Sequence, residues 1–266
     1  MREFEYVRPT TVGQAAEPLL AERAPVLRQA LLAGASTQIR NMATVGGNLL
    51  QRARCRYFRD PTVEACNKRE PGSGCAAIDE SARMHAILGA GPGCIALHAS
   101  DLAVALVTLD AVVHLQDASG DRRVPLVEFY RIPGGSPERE NVLRHGELIT
   151  AVDIPLPAAG SASEYLKIRD RASYEFALVS VAVVMNIRDG LIQECRMGLG
   201  GVGTIPWRAY AAEEVLNGAR PEPGLFRRAA EAEMQHTFTV PGTVFKAELA
   251  RRAIERALGT VSAGAS

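Results

Sequence analysis

The chain has 266 residues, 47% of them hydrophobic, and its 30 basic and 30 acidic side chains cancel. This length can bury the core of one large domain or of two modest ones. Because the net charge is zero, no global field draws the protein to nucleic acid or to an anionic membrane, and we expect neither as a partner.

The termini and apolar runs predict a cytoplasmic protein without a membrane anchor. The longest apolar run, residues 176–185, is too short to cross a bilayer and is expected to form a strand buried on both faces. The start, MREFEYVRPTT, has neither an apolar signal core nor a twin-arginine pattern. By its own sequence the chain is expected in the cytoplasm, or in the periplasm if it is exported together with a partner.

The first hundred residues predict a compact helical start followed by loops. Residues 2–8 alternate as a short strand does, and residues 9–23 and 25–36 have helical spacing, with Gly34 as the expected C-terminal cap. Residues 37–100 are rich in loops, and MHAILGA at 84–90 is the one strand expected there.

From Ser100 onward the pattern becomes mixed. Apolar residues from 102 to 109 share one helical face, and alternation then predicts a strand at 113–115. Residues 146–157, GELITAVDIPLP, predict a strand that ends at Pro155 and Pro157. We place the domain boundary there, with one domain over 1–157 and a second over 158–266.

The second domain predicts strands followed by helices, and therefore an α+β fold with an antiparallel sheet. Three strands are expected at 164–173, 177–189 and 191–201, the last two joined by a hairpin turn at Asp189-Gly190. Helical spacing follows at 207–218, 223–235 and 245–258.

Four of the five cysteines lie within forty residues that offer them no apolar core. Ten residues separate Cys55 from Cys66, eight separate Cys66 from Cys75, and eighteen separate Cys75 from Cys94. No pair has the close spacing of a zinc knuckle. Four thiolates that arrive singly can surround a larger body, and a 4Fe-4S cluster is such a body. Irregular zinc and free thiols remain the alternatives, and Cys195 is expected to be a small core residue.

The stretch ATVGGNLL, residues 43–50, is the second candidate site. Two glycines after a short polar residue let backbone N–H groups converge on an anion, and Asn48 can add a donor. The alternative is a tight turn ahead of a helix, which needs no ligand.

Together these stretches resemble a known family. LLAGASTQIRNMATVGGNLLQRARCRYFRD, CNKREPGSGCAA, KIRDRASYEFALVSVAV and MGLGGVGTIPWRA are similar to the FAD-binding subunit of molybdenum hydroxylases, the xanthine dehydrogenase family. The likeness extends over nearly everything from residue 26. It is to the periplasmic aldehyde oxidoreductase branch, whose flavin subunit carries an additional 4Fe-4S cluster within an insertion, here at about residues 50–98.

The resemblance implies two sets of cofactor residues. Cys55, Cys66, Cys75 and Cys94 fall where the cluster ligands are expected. The positions implied to contact FAD are Thr44, Gly46, Gly47, Asn48, Asp101, Ile149 and Lys167. Asp101 could equally be a helix-cap residue and Lys167 a solvated strand residue.

One feature of the family is not found in this sequence. The family's first lobe supplies a glycine-rich loop of the AGGTNL kind that wraps the FAD pyrophosphate. Here the opening helix runs directly into the second lobe through residues 18–34. The expected fold is therefore a truncated two-lobe FAD-binding domain (PCMH-like) followed by the α+β domain, and FAD binding is expected to be weakened.

The resemblance also implies the function. We expect an electron-transfer subunit that receives electrons from a large molybdenum-cofactor subunit through a small 2Fe-2S subunit, and passes them to an external acceptor. No acid-base or nucleophilic constellation is visible, since the five histidines are scattered. The alternative is an iron-sulfur or zinc-stabilised scaffold that has lost flavin.

Overall fold

Short helices separated by loops precede the first sheet in the part of the chain that the structure describes. The structure, a computed structural model, describes residues 24–264, so the strand predicted at 2–8 and the helix predicted at 9–23 lie outside it. Among residues 24–264, the helices before the first sheet are α1 (Pro25–Ala33), α2 (Thr37–Met42), α3 (Val45–Leu49), α4 (Arg56–Arg59), α5 (Ala76–Asp79) and α6 (Asp101–Thr108). Gly34 caps α1 as predicted, donating its N–H to the carbonyls of Ala30 and Leu31.

A three-stranded antiparallel sheet completes this domain. It contains β1 (Val112–Asp117), β2 (Gly120–Pro125) and β3 (Leu148–Asp153) in the order β2-β1-β3, with α7 (Leu126–Phe129) after β2. The helix and strand predicted after Ser100 are confirmed as α6 and β1. Ser100 starts α6 because its hydroxyl accepts the N–H of Ala103 at 2.9 Å.

The second domain is an antiparallel meander covered by helices. Its strands are β4 (Ala162–Ile168), β5 (Val179–Arg188), β6 (Leu191–Gly200) and β7 (Trp207–Arg208), paired in chain order. The predicted Asp189-Gly190 turn joins β5 to β6, and both residues have positive φ, 55° and 72°. The helices α8 (Tyr210–Leu216), α9 (Pro223–Glu233) and α10 (Val244–Gly264) follow.

The four-stranded sheet is a wall shared by two hydrophobic cores. Val181, Val183 and Met185 of β5 pack with α8, α9 and α10, whereas Ala182 and Val184 pack with α1 and α6. Residues 179–186 are accordingly all buried, which confirms the prediction of a strand covered on both faces. The α+β class predicted from the sequence is confirmed as well.

The MHAILGA segment does not form a strand, so that prediction was wrong. The N–H groups of Ile87 and Leu88 both donate to the carbonyl of Val202, at 2.8 and 2.9 Å, and the carbonyl of Ile87 accepts the N–H of Phe238 at 2.9 Å. These backbone groups bond to separate loops, so no continuous ladder forms. Alternating apolar residues here reflect burial between the loops.

A buried lysine ties the last helix to the loop-rich segment. Lys246, in the first turn of α10, is 0% exposed, and its Nζ donates to the carbonyls of Gly201 at 2.6 Å and His85 at 2.9 Å. Burial, with a smaller effect of Arg83, lowers the pKa of Lys246 to about 7. The lysine therefore holds three distant parts of the chain together at the cost of a weakened affinity for its proton.

We predict that Lys246 makes the stability of the protein increase with pH. The unfolded chain keeps this proton up to about pH 10.5, but the folded protein keeps it only up to about pH 7. Between these values unfolding takes up a proton, so the free energy of unfolding rises by up to about 1.4 kcal/mol per pH unit from this group. Denaturant titrations from pH 7 to pH 9.5 should show a smaller slope in Lys246→Met than in the native protein.

The matched control is Arg252→Met, which removes a cation from the exposed side of the same helix. It should leave the pH slope unchanged. Equal slopes in the native protein and Lys246→Met would rule out the lysine as their source.

Candidate cofactor sites

The fold brings the four clustered cysteines to one cavity. Cys55 precedes α4, Cys66 and Cys75 face each other across an isolated antiparallel bridge, and Cys94 follows the turn at Gly91. All four line one small cavity that is partly open to solvent. We call this space the cysteine cavity. Cys195 lies elsewhere, fully packed in the core of β6.

The loop between Cys66 and Cys75 is shaped by one asparagine and two glycines. Asn67 accepts the N–H groups of Gly72 at 3.0 Å and Gly74 at 2.9 Å through Oδ1, and its Nδ2 donates to the carbonyl of Gly93 at 2.8 Å. Gly72 and Gly74 have φ of 91° and 100°, which favours glycine. The glycines of PGSGC therefore let the chain turn back and set Cys75 opposite Cys66.

The cavity favours neutral thiols unless a metal replaces their protons. Burial raises the pKa of Cys94 to about 11, although the N–H of Ala96 and the charge of Lys68 act in the opposite direction. Burial also raises the pKa of Cys55, opposed by the N–H groups of Phe58 and Tyr57. Metal ligation requires thiolates, and the same N–H groups would stabilise them.

His85 lies beside the cysteine cavity, although nothing in the sequence indicated this contact. The Nε2 atom of His85 is 3.2 Å from the Sγ of Cys55, and its buried Nδ1 has no partner in the described residues. Burial is the main reason that the pKa of His85 falls to about 4, so the ring is neutral at pH 7. The two residues are 30 positions apart in the sequence, and no local spacing could have indicated their contact.

Among residues 24–264, no group of three or more His, Cys, Asp or Glu side chains has the arrangement that holds a single metal ion. The four thiols instead lie in the walls of the cysteine cavity.

The predicted flavin loop is a short capped helix at the surface. Thr44 caps α3, because its Oγ1 accepts the N–H of Gly47 at 3.0 Å. A Cβ on Gly47 would lie 2.9 Å from that oxygen, so any other residue there would crowd the capping hydroxyl. Both residues are exposed. The backbone therefore forms the tight turn ahead of a helix that the sequence offered as the alternative. The exposed side of this turn is accessible to a ligand.

Two further predicted residues adjoin this loop. A Cβ on Gly46 would lie 3.7 Å from the Cβ of Ile149 in β3, so loop and strand are in contact. Asn48 accepts the hydroxyl of Ser100 at 2.5 Å through Oδ1. Its amide nitrogen makes no hydrogen bond within the described part of the chain and is available to a ligand.

Asp101 and Lys167 form a buried ion pair with each other. Their charged atoms are 2.8 Å apart, and the two side chains are 11% and 5% exposed. Asp101 also accepts the hydroxyl of Tyr165 at 2.6 Å, and Lys167 donates to the carbonyl of Ala33 at 3.1 Å. Both charges are thus satisfied inside the protein. Asp101 lies in the first turn of α6, but Ser100 is the residue that caps the helix.

One buried segment connects the cysteine cavity with the predicted flavin residues. His98 lies between Cys94 and Ser100, and its Nδ1 accepts the N–H of Ser100 at 3.4 Å. Its ring packs edge-on against Tyr130 at 4.5 Å, and Tyr130 donates to the carbonyl of Leu49, the last residue of α3, at 3.0 Å. The two candidate sites are therefore neighbours on one packed framework.

No helix among residues 24–264 is long and apolar enough to cross a membrane.

Comparison with known proteins assigns both parts of the chain. Residues 3–157 match the family described as FAD binding domain in molybdopterin dehydrogenase, and residues 164–261 match the CO dehydrogenase flavoprotein C-terminal domain. The aldehyde oxidoreductase FAD-binding subunit PaoB of Escherichia coli (strain K12) is 50% identical over 215 residues, which cover 80% of this chain and 66% of PaoB. The glyceraldehyde dehydrogenase medium chain of Sulfolobus acidocaldarius is 31% identical over 50% of this chain and 44% of its own length.

Solved structures share the fold. A chain of the carbon monoxide dehydrogenase from Hydrogenophaga pseudoflava superposes with a TM-score of 0.70 at 22% identity, over 96% of this chain and 73% of that chain. A chain of quinoline 2-oxidoreductase from Pseudomonas putida 86 gives a TM-score of 0.67 at 22% identity, with the same coverage.

The chain spans slightly less than two thirds of the length of PaoB and under half of the glyceraldehyde dehydrogenase chain. The domain match over 3–157 nevertheless covers more than half of the present sequence, and it confirms the resemblance to FAD-binding subunits of molybdenum hydroxylases. The protein belongs to the FAD-binding subunits of the molybdenum hydroxylase family.

Proposed function

We propose that this chain is the FAD and 4Fe-4S electron-transfer subunit of a molybdenum-dependent aldehyde or xanthine dehydrogenase-type complex. The observation that carries this proposal is the convergence of Cys55, Cys66, Cys75 and Cys94 on one cavity in a chain with an FAD-binding domain. Bound FAD and a bound cluster would supply the electron-carrying chemistry. The protein contributes ligands, hydrogen bonds and exclusion of water.

The cysteine cavity fits an iron-sulfur cluster in three respects. Four thiols approach it singly from separate turns, as cluster ligands do. Backbone N–H groups point at the sulfurs, including that of Ala96, 3.4 Å from the Sγ of Cys94. The walls are otherwise mostly apolar, with Tyr57, Phe58 and Ala77 among the residues that line them. Hydrogen bonds to sulfur and limited solvent access are two of the factors that set the potential of such clusters.

The partners belong to the proposal as well. Relatives of this chain are named as medium chains or subunits, among them the carbon monoxide dehydrogenase medium chain of Afipia carboxidovorans, 27% identical over 90% of this chain. We infer a large molybdenum-cofactor subunit, a small 2Fe-2S subunit and an external electron acceptor. Electrons would enter from the first two and leave to the third.

We further infer that the first FAD-binding lobe is largely deleted. No glycine-rich loop of the AGGTNL kind is found in the 266 residues, and nearly the whole chain superposes on only 73% of the carbon monoxide dehydrogenase chain. FAD would then depend on the exposed α3 loop, Asn48 and Ile149. Asp101 and Lys167 are already paired with each other, so they would add little unless the cofactor separates them.

That pairing also favours a second candidate function. A scaffold subunit that keeps the metal site but has lost flavin would need no free carboxylate or ammonium group at this place. The two functions differ in whether flavin copurifies with the chain, and iron-sulfur and zinc forms of the scaffold differ in metal content.

We predict that each of Cys55→Ser, Cys66→Ser, Cys75→Ser and Cys94→Ser lowers bound iron and acid-labile sulfide. Serine is a poor ligand for the cluster, and each side chain supplies one quarter of its attachment. Cys195→Ser is the matched control, because Cys195 is fully buried in β6 away from the cavity. Chemical assays of anaerobically purified protein measure both elements. Full iron in Cys66→Ser, or stoichiometric zinc in the native protein, would reject the cluster.

We predict that the chain holds FAD weakly or below one molecule per chain. A buried pyrophosphate that loses a hydrogen bond loses about 1 to 3 kcal/mol, so three or four lost contacts lower affinity by roughly a thousandfold or more. Grafting a first lobe from a family member between Arg23 and Pro25 should restore stoichiometric FAD. Flavin released by acid from freshly purified protein gives the ratio. One tightly held FAD per native chain would show that the remaining residues suffice.

A further inference from the structure

A buried lysine separates the cysteine cavity from a second cavity. Lys68 lines the cysteine cavity, and it also lines an adjoining space bounded by His98, Tyr130 and Glu140. Its side chain is 6% exposed. It is therefore a positive charge held at the inner wall of the proposed cluster site, on the side that faces His98 and the predicted flavin residues.

The ammonium group of Lys68 is fixed by two oxygen atoms. It lies 2.9 Å from a carboxylate oxygen of Glu140 and donates to the carbonyl of Pro137 at 2.8 Å. The second oxygen of Glu140 accepts from Arg52 at 2.7 Å. Burial would raise the pKa of Glu140, but Lys68 and Arg52 outweigh it and lower the pKa, so the carboxylate is ionised.

These three side chains differ in their access to water. Arg52 is 47% exposed, so solvent screens its charge, whereas Lys68 and Glu140 are 6% and 23% exposed. Lys68 touches the cysteine cavity, and Glu140 lines only the adjoining space. The charge nearest the thiols on this side is therefore positive. Glu140 lies behind Lys68, farther from the cysteine cavity, and its negative charge offsets part of that positive charge.

We propose that Lys68 raises the reduction potential of the cluster in the cysteine cavity, and that Glu140 positions the ammonium group and tempers its effect. The inference rests on the proposed 4Fe-4S cluster. Reduction adds one negative charge to the cluster, and a nearby cation stabilises the reduced form. Because water reaches this wall poorly, the interaction is screened less than it would be at the surface. Net charge around a cluster is one of the determinants of its potential.

The alternative is that Lys68 only anchors the loop of Pro137 to the cysteine segment. A role as an anchor and a role as a charge predict different shifts of the reduction potential when Lys68 and Glu140 are replaced one at a time. Loss of the anchor affects Lys68→Met and Glu140→Gln in the same direction, because both break one ion pair. Loss of charge shifts the potential in opposite directions, because one variant removes a cation and the other an anion.

The experiment is a redox titration of the full chain, purified anaerobically with its complex and followed by EPR. Iron and sulfide are assayed first in every sample. Lys68→Met should lower the midpoint potential by an amount equal to about a tenfold change in the reduction equilibrium, about 59 mV for one electron. Glu140→Gln should raise it, and Lys68→Arg, which keeps the charge, should stay near the native value.

The control is Arg227→Met on α9, which removes a cation that is 68% exposed and does not line the cysteine cavity; it should shift nothing. Native protein without iron and sulfide overturns the proposed cluster itself. A loaded cluster whose potential is unchanged in Lys68→Met, or lowered in both single variants, overturns the role of Lys68. If Lys68→Met does not fold, Glu140→Gln decides: a potential that is unchanged or lower overturns the proposal.

Discussion

The structure depends on one constraint: residues 50–98 must hold four buried or half-buried thiols together without a core large enough to do so. The apolar cluster around Tyr57, Ala77 and Ile95 is small compared with the cores on either side of the four-stranded sheet. Polar contacts stabilise this segment where apolar packing is limited. Lys68 binds the loop at Pro137 and Glu140, and Lys246 binds the backbone at His85. A cluster bound by the cysteines would add four covalent ties where apolar packing is thinnest.

The shared sheet explains why the two domains form one unit around the sites. β4 carries Tyr165 and Lys167, which reach across to Asp101 at the start of α6. β5 has one face in each core and pairs with β4, the strand that carries the lysine of this ion pair. The C-terminal domain therefore supports the residues that the sequence associates with flavin, although most of those residues belong to the first domain.

The sequence predicts the parts of this structure that have local causes. The capped helix ending at Gly34, the Asp189-Gly190 hairpin and the doubly buried β5 all follow from spacing and turn chemistry. Grouping of the cysteines also predicts their meeting in space, since glycines around them permit tight turns. The roles assigned to the FAD-contacting residues stay predictions, because no contact with a cofactor tests them.

Other features have causes that no local pattern contains. Lys68 meets Glu140 across 72 positions, and Lys246 meets His85 across 161. Such pairs are defined only after the loops are packed. The failed strand at 84–90 has the same origin, because its backbone groups bond to residues 202 and 238 instead of to a neighbouring strand. Sequence reasoning thus indicated that the four cysteines come together but did not indicate the charged groups around them.

The proposed role of this chain is to carry electrons through an iron-sulfur cluster next to a flavin region. The most direct measurement is the visible absorbance and EPR spectrum of the anaerobically purified protein before and after reduction with dithionite. We expect a broad visible absorption that bleaches on reduction, together with an EPR signal from the reduced cluster and flavin bands weaker than those of one FAD per chain. A colourless protein that contains zinc, or a spectrum of flavin alone, would contradict it.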